Sequence, residues 1–120
     1  MALPDIVVAR IYDRPGPERY RVLVDRLWPR GVARADAPMD EWLPAVAPST
    51  QLRKWYAHAP ERFDEFQRRY RAELAEGERA EALAGLAARS AKQPLALLTA
   101  VRDTEISQAA VLAEVLRSRS

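Results

Sequence analysis

The chain has 120 residues, of which 48% are hydrophobic and 30% charged, and its formal net charge is +2 at pH 7. This length and composition are typical of one folded domain with an ordinary core, which we expect over residues 1–120, and they exclude a disordered chain. Because the chain contains no cysteine, disulfides, thiolate nucleophiles and cysteine-bound metal clusters are excluded.

Targeting signals are not evident in the sequence. The first residues lack the charged region and long apolar stretch of a secretory signal. No apolar run approaches the roughly 20 residues that cross a bilayer. We therefore expect a cytoplasmic protein that has no membrane partner.

Two β-branched segments near the start of the chain predict strands, over residues 6–12 and 20–24. The prolines and the glycine within residues 13–17 separate these strands, because such residues cannot continue a strand ladder. Directly after the second strand, residues 25–31 read DRLWPRG. We expect this DRLWPRG loop to be extended or bent, since proline and glycine both disfavour helix there.

The middle of the chain is predicted to be helical. We expect a short amphipathic turn over residues 37–43 and a second short helix that Ser49 or Thr50 caps. A longer helix is predicted to begin at Pro60 and to end at Gly77.

The last third of the chain predicts one more helix, a strand and a final helix. The helix extends to about Ser90, and residues 95–101 form an apolar run that suits a strand covered on both faces. The final helix is expected from about Thr104 to Arg117. Because roughly seventy mostly helical residues separate the second and third strands, we expect parallel pairing. The predicted fold is α/β, with a small, mostly parallel sheet of about three strands covered by helices.

Two acidic residues follow predicted strands and are candidates for the functional site. Asp25 and Asp103 each come just after a strand, and ligands of parallel sheets bind outside the carboxyl ends of the strands. If the chain is an enzyme, one of these carboxylates is the base. The structural alternatives are that Asp25 pairs with a neighbouring arginine and that Asp103 or Thr104 caps the final helix.

The DRLWPRG loop also carries residues that suit an anionic ligand. Arg26 and Arg30 favour phosphate or carboxylate, because the planar guanidinium binds such groups with two parallel hydrogen bonds. Trp28 either stacks on a planar ligand or fills the core, and Gly31 permits an unusual turn. A GC-rich genome is the alternative explanation for the abundance of arginine in the chain.

Further candidates lie elsewhere in the sequence. Thr104 and Glu105 open the final helix, where free N–H groups suit an anion. His58 is the only histidine and is either an acid or base near neutral pH or a loop residue. We predict no cofactor and no tight transition-metal site, while carboxylate-bound magnesium stays open.

The leading functional prediction is the binding of an anionic small molecule between the DRLWPRG loop and the start of the final helix. One alternative is a nucleic-acid-binding or regulatory module that uses surface arginines, with residues 52–56 (LRKWY) mixing bases and aromatics. Another is a protein-interaction module with an exposed apolar patch. Acidic residues are interleaved through most of the chain, which makes nucleic acid the weaker choice.

The sequence resembles the YeaO-like family of short bacterial proteins, a family of unknown function. The resemblance rests on RIYD at residues 10–13, YRVLVDRLWPRG at 20–31, DEWL at 40–43, APS at 47–49, LRKWY at 52–56, His58, PERF at 60–63, Phe66 and Tyr70. It implies a compact α/β domain but no established substrate or mechanism. The resemblance also implies a histidine in the segment after the last strand, where this chain has Ile106 or Ser107; if that histidine does chemistry in the family, this chain has lost it or uses another group.

Overall fold

The computed structural model describes residues 4–13 and 18–119, so the predicted break within residues 14–17 lies outside the described residues. Four strands and four α-helices make up this part of the chain. They are β1 Ile6–Arg10, β2 Tyr20–Leu23, β3 Glu41–Trp42, α1 Thr50–Tyr56, α2 Phe63–Leu74, α3 Gly77–Ser90, β4 Leu95–Thr99 and α4 Gln108–Ser118. Within the described residues, no helix has the length and apolar character needed to cross a membrane.

The four strands form one sheet in the order β1-β4-β2-β3, and every neighbouring pair is parallel. The apolar strand β4 lies between β1 and β2, and all five of its residues are buried. The register places Leu95 beside both Ile6 and Tyr20, so β1 and β2 begin at the same level of the sheet. The predicted α/β fold with a parallel sheet is confirmed.

Strand β3 occupies part of the segment for which the sequence predicts a helical turn, residues 37–43. Backbone hydrogen bonds join this segment to β2: the Asp40 N–H donates to the Arg21 carbonyl at 2.8 Å. The Leu43 N–H likewise donates to the Leu23 carbonyl at 2.9 Å. The Asp40 carboxylate also pairs with the Arg21 guanidinium at 3.0 Å. The helical prediction is wrong here because pairing with β2 overrides the local hydrophobic pattern.

The helices cover one face of the sheet. Their buried side chains belong to a core cluster with Val22, Val24, Leu95 and Leu97. A smaller cluster lies on the other face, and its members are Ile11, Leu23, Ala96 and Leu98, packed against Trp28, Met39 and Trp42. The second face is therefore covered mainly by the segment between β2 and β3, and only the first by helices.

Two helix boundaries differ from the prediction at the middle of the chain. Residues Pro60–Arg62 form a 3-10 turn, and α2 begins after it at Phe63. Gly77 does not end that helix; α2 ends at Leu74, and Gly77, with φ +59, is the first residue of α3. The predicted cap at Ser49 is confirmed, since its hydroxyl accepts a hydrogen bond from the Leu52 N–H at 3.1 Å.

The final helix also begins later than predicted. Thr104–Ile106 is a separate 3-10 turn, and α4 begins at Gln108. The side chain of Ser107 caps α4 by accepting a hydrogen bond from the Ala110 N–H. Capping by Asp103 or Thr104 is therefore wrong, because the turn displaces both from the first residues of α4.

Tyr70 tests how strongly the core depends on one buried hydrogen bond. Its hydroxyl is fully buried and donates to the Val46 carbonyl at 2.6 Å, which ties α2 to the segment before α1. Replacing Tyr70 by Phe leaves that carbonyl without this partner, so we expect a loss of about 1–2 kcal/mol in the free energy of unfolding, measured by urea denaturation.

Tyr12→Phe is the matched control, because the half-exposed Tyr12 hydroxyl donates to the Arg30 carbonyl at 3.2 Å, where water can replace it. We expect that variant to change stability by less than about 0.5 kcal/mol. Equal losses in the two variants would contradict the assigned importance of the buried bond.

Candidate functional site

A cleft of about 410 Å³ lies at the carboxyl ends of the parallel strands. Residues 25–30 of the DRLWPRG loop, which follow β2, all line it. Ala100 and Val101 follow β4 and line it too, as does Tyr12 after β1. The residues that follow these three neighbouring strands therefore lie together at the cleft, as expected for a parallel sheet.

The remaining walls come from the helical layer. Helix α1 contributes Arg53 and Tyr56, and His58 follows its end. Phe66 comes from α2 and Gln108 from the first turn of α4. The cleft therefore has a polar loop on one side and aromatic rings on the other.

The carboxylate of Asp25 joins the elements that meet at the cleft. Its Oδ1 accepts hydrogen bonds from the Thr99 hydroxyl at 2.7 Å and from the Gln108 amide at 2.5 Å. Its Oδ2 accepts from the backbone N–H of Ala100 at 2.8 Å. These contacts connect the chain after β2 to the end of β4 and to α4. The sequence did not single out Thr99 or Gln108, although Thr99 is a polar residue within a buried apolar strand.

Burial raises the pKa of Asp25 above its ordinary value of 3.8. The hydrogen bonds from Ala100, Thr99 and Gln108 and the charge of His58 act in the opposite direction. Among the described residues, no arginine pairs with Asp25, so the predicted ion pair with Arg26 or Arg30 is wrong. Neutral donors hold this carboxylate instead.

Three guanidinium groups at the cleft have no partner of their own. The side chains of Arg26, Arg30 and Arg53 are exposed and make no hydrogen bond or ion pair with any residue that the structure describes. Some other arginines pair with carboxylates, for example Arg19 with Asp5 at 2.8 Å, whereas Arg102 and Arg119 are likewise exposed without a side-chain partner among the described residues. These three guanidiniums therefore line the cleft without an ion pair to any acid of the described chain.

Trp28 fills the core, which is one of the two roles that the sequence left open, and it also borders the cleft. Its indole packs in the smaller core cluster, meets Trp42 edge to face at 5.4 Å between centroids, and donates to the Val32 carbonyl at 2.7 Å. The guanidinium of Arg34 lies 4.2 Å from its ring centroid. Trp28 also lines the cleft, so it is a structural side chain at the site.

Asp103 lies near the cleft without lining it. Burial, followed by the negative charge of Asp103, raises the pKa of Tyr56 to about 12, so this carboxylate faces a residue of the cleft wall. The Tyr56 hydroxyl donates to the Ile106 carbonyl at 2.7 Å, which fastens the 3-10 turn to α1. Asp25 and Asp103 thus belong to the same end of the sheet.

The structure divides the predicted site residues into two groups. Those that line the cleft are Asp25, Arg26, Trp28, Arg30 and His58. Those outside its lining are Gly31, Asp103, Thr104 and Glu105. Gly31 ends the DRLWPRG loop in a turn with φ +76. No group of three or more histidine or acidic side chains in the described part of the chain could hold a metal ion.

The backbone before His58 has an uncommon conformation. Ala57 and His58 are consecutive non-glycine residues in the left-handed region, with φ of 47° and 57°. Ala57 closes α1, its N–H donating to the Arg53 carbonyl at 3.0 Å. The reversal brings the imidazole beside the cleft, 6.0 Å from the Tyr56 ring centroid. Left-handed geometry at two such residues costs free energy, so His58 is held there by the surrounding structure.

Replacing Asp25 by Ala removes the acceptor for three donors. We expect a loss of about 3 kcal/mol in the free energy of unfolding, measured by urea denaturation. Asp25→Asn should lose less, because its oxygen still serves the Ala100 N–H while Thr99 and Gln108 turn to accept from its amide. A loss in Asp25→Ala no larger than in Asp25→Asn would contradict this role.

Comparison of the native chain with Asp25→Asn tests the raised pKa of Asp25. A raised pKa means that the folded chain binds this proton more tightly than the unfolded chain, so its contribution is full at low pH and is lost as pH rises through the folded pKa. The stability of the native chain relative to Asp25→Asn should therefore fall as pH rises upward from 3.8. If the difference in the free energy of unfolding between the native chain and Asp25→Asn does not change with pH, the raised pKa of Asp25 is contradicted.

Ala57→Gly tests the left-handed helix end. Glycine adopts positive φ without steric cost, so we expect the variant to be more stable by about 0.5–1 kcal/mol, measured by thermal unfolding. Ala91→Gly is the control, because Ala91 is an exposed residue at the end of α3 with φ −74. It should be slightly less stable than the native chain. An equal effect of both substitutions would show that Ala57 is not strained.

Comparison with known proteins places the chain in a family. Residues 5–120 match the family described as "Inactive DUF488-N3 subclade". The chain is 42% identical over 116 residues to "Uncharacterized protein YeaO" of Escherichia coli (strain K12), covering 95% of this chain and 98% of YeaO. It is 46% identical over 113 residues to "Uncharacterized protein Rv3073c" of Mycobacterium tuberculosis, covering 93% of each. No solved structure matches the chain significantly. The chain therefore belongs to the DUF488-N3i family, the inactive DUF488-N3 subclade, which confirms its resemblance to YeaO-like proteins.

Proposed function

We propose that this protein binds a small anionic molecule in the cleft at the carboxyl ends of its strands and does not convert it. The observation that carries the proposal is the group of three guanidiniums, from Arg26, Arg30 and Arg53, which have no partner among the described residues. Guanidinium groups bind phosphate and carboxylate through charge-assisted hydrogen bonds. An anion that enters the cleft would provide the partners that the chain itself does not.

The size and position of the cleft support a small molecule. Its volume of about 410 Å³ falls within the usual range of ligand pockets, roughly 300–1,000 Å³. It also lies outside the carboxyl ends of parallel strands, where such folds commonly bind ligands. A phosphate- or carboxylate-bearing metabolite fits both features.

Binding without conversion is favoured by the groups that the cleft offers. Both oxygens of Asp25 already accept hydrogen bonds that hold the fold together, and Asp103 does not line the cleft. Neither carboxylate is therefore well placed to act as a general base, and of the predicted acid–base candidates only His58 is left in the cleft lining. The description of the family as inactive agrees with a binding role.

The tryptophan of the LRKWY segment weakens the nucleic-acid alternative. The Trp55 ring has the guanidinium of Arg69 4.3 Å from its centroid and that of Arg62 at 5.4 Å. Single-strand binders stack nucleic-acid bases on aromatic rings. Here a base would have to compete with these two arginines for the indole. Trp55 also packs against the main core, as a structural residue does.

A thermal-shift experiment tests the proposal with phenyl phosphate as the anion and phenol as its uncharged control. A ligand in excess over its dissociation constant raises apparent stability, so phenyl phosphate should raise the melting temperature while phenol should not. We expect Arg30→Ala and Arg53→Ala each to weaken phenyl phosphate binding about tenfold, because each removes a charge-assisted hydrogen bond.

Arg68→Ala is the matched control for these variants. Arg68 is an exposed arginine of α2 that pairs with Glu65 and does not line the cleft. Its removal should leave phenyl phosphate binding unchanged. The proposal is wrong if phenyl phosphate does not stabilise the native chain, or if all three alanine variants bind it equally well.

A further inference from the structure

We infer that the ligand is an amphipathic anion, with one charged head group and a compact apolar body about the size of an aromatic ring. The inference rests on the proposed function, and it assigns a chemical class to the molecule that the cleft would bind. Its basis is that charged groups supply only part of the cleft wall, while apolar and aromatic side chains supply most of the rest.

The aromatic rings of Tyr56 and Phe66 form part of the apolar wall of the cleft. Tyr56 and Phe66 stack with their centroids 4.2 Å apart, and both line the cleft. Because the Tyr56 hydroxyl is hydrogen-bonded to the Ile106 carbonyl, its ring and not its hydroxyl is the part left for a ligand. Val101 adds an aliphatic surface from the chain after β4. Because the protein itself almost completely buries both rings, the apolar lining that water still reaches belongs mainly to Leu27 and Val101, and an inorganic anion alone would leave those side chains uncovered.

Leu27 extends the apolar surface to the outside of the cleft. It lines the cleft and is 61% exposed, so it presents apolar area at the mouth of the cleft. Its loop neighbours Arg26 and Arg30 are exposed as well, and Leu27 stays uncovered beside them. A ligand with an apolar body would remove Leu27 from water as it binds.

Burial indicates how the ligand is oriented. The side chains of Arg26, Arg30 and Arg53 are exposed, whereas Tyr56 and Phe66 are almost completely buried. The charged head therefore stays at the rim among the guanidiniums, and the apolar body enters toward the rings.

Asp25 limits the ligand to one charged end. Its carboxylate lines the cleft and is only partly exposed, so a second anionic group on the body of the ligand would be repelled. The inner end of the ligand is accordingly uncharged. This requirement separates the proposed class from dicarboxylates and bisphosphates.

Isothermal titration with phenyl phosphate and methyl phosphate tests the inference, at a pH where both ligands carry the same charge. Burial of the ring should make phenyl phosphate bind about thirtyfold more tightly than methyl phosphate. In Leu27→Ala this preference should fall by about threefold or more, because the variant removes apolar contact with the ring. Leu27→Met is the matched control; it retains apolar area and should retain the preference.

The outcomes separate the inference from the proposed function. If both ligands bind with equal affinity and Arg30→Ala weakens both, an anion site exists and the amphipathic class is wrong. A preference that Leu27→Ala leaves unchanged would also overturn the inference. If neither ligand binds the native chain, the proposed function itself fails. Because Leu27 is exposed, its replacement should leave the fold intact, which circular dichroism verifies for each variant.

Discussion

The carboxylate of Asp25 stands where the chain after β2, the end of β4 and the start of α4 meet. A carboxylate removed from water is costly unless donors surround it, and here the donors are a hydroxyl, a side-chain amide and a backbone N–H. Their arrangement exists only when the sheet and α4 are both in place. This one half-buried acid therefore couples the correct packing of three elements to the shape of the cleft.

The contacts of Asp25 also explain why the two arginines of the loop form no ion pair with it. Because neutral groups satisfy Asp25, the guanidiniums of Arg26 and Arg30 are left on the outside of the loop without a carboxylate among the described residues. Trp28 and Trp42 anchor the loop beneath them through an edge-to-face contact, and the Trp42 indole donates to the Asp25 carbonyl at 2.8 Å. These contacts fasten the loop to the sheet, while Arg26 and Arg30 are exposed and line the cleft.

Several elements could be predicted because their signals are local. The apolar run that contains Leu95–Thr99 identifies the central strand, and the long helical separation before it indicates parallel pairing. Parallel pairing in turn places the DRLWPRG loop at a ligand-binding edge. Strand β3 could not be predicted, because its two residues are extended only through hydrogen bonds to β2. The late start of α4 depends likewise on the turn that Tyr56 fastens.

Hydrophobic pattern, proline and glycine positions and the DRLWPRG motif were enough to determine the fold class and the edge of the sheet at which the cleft lies, since these depend on local propensity and on the rules of strand connection. Tertiary structure alone decided which side chains share the cleft. It brought Asp25 to Gln108, 83 positions apart in the chain, and left Asp103, Thr104 and Glu105 outside the lining. The physical reason is that such contacts depend on the angles at which packed elements meet, and no local sequence pattern encodes those angles.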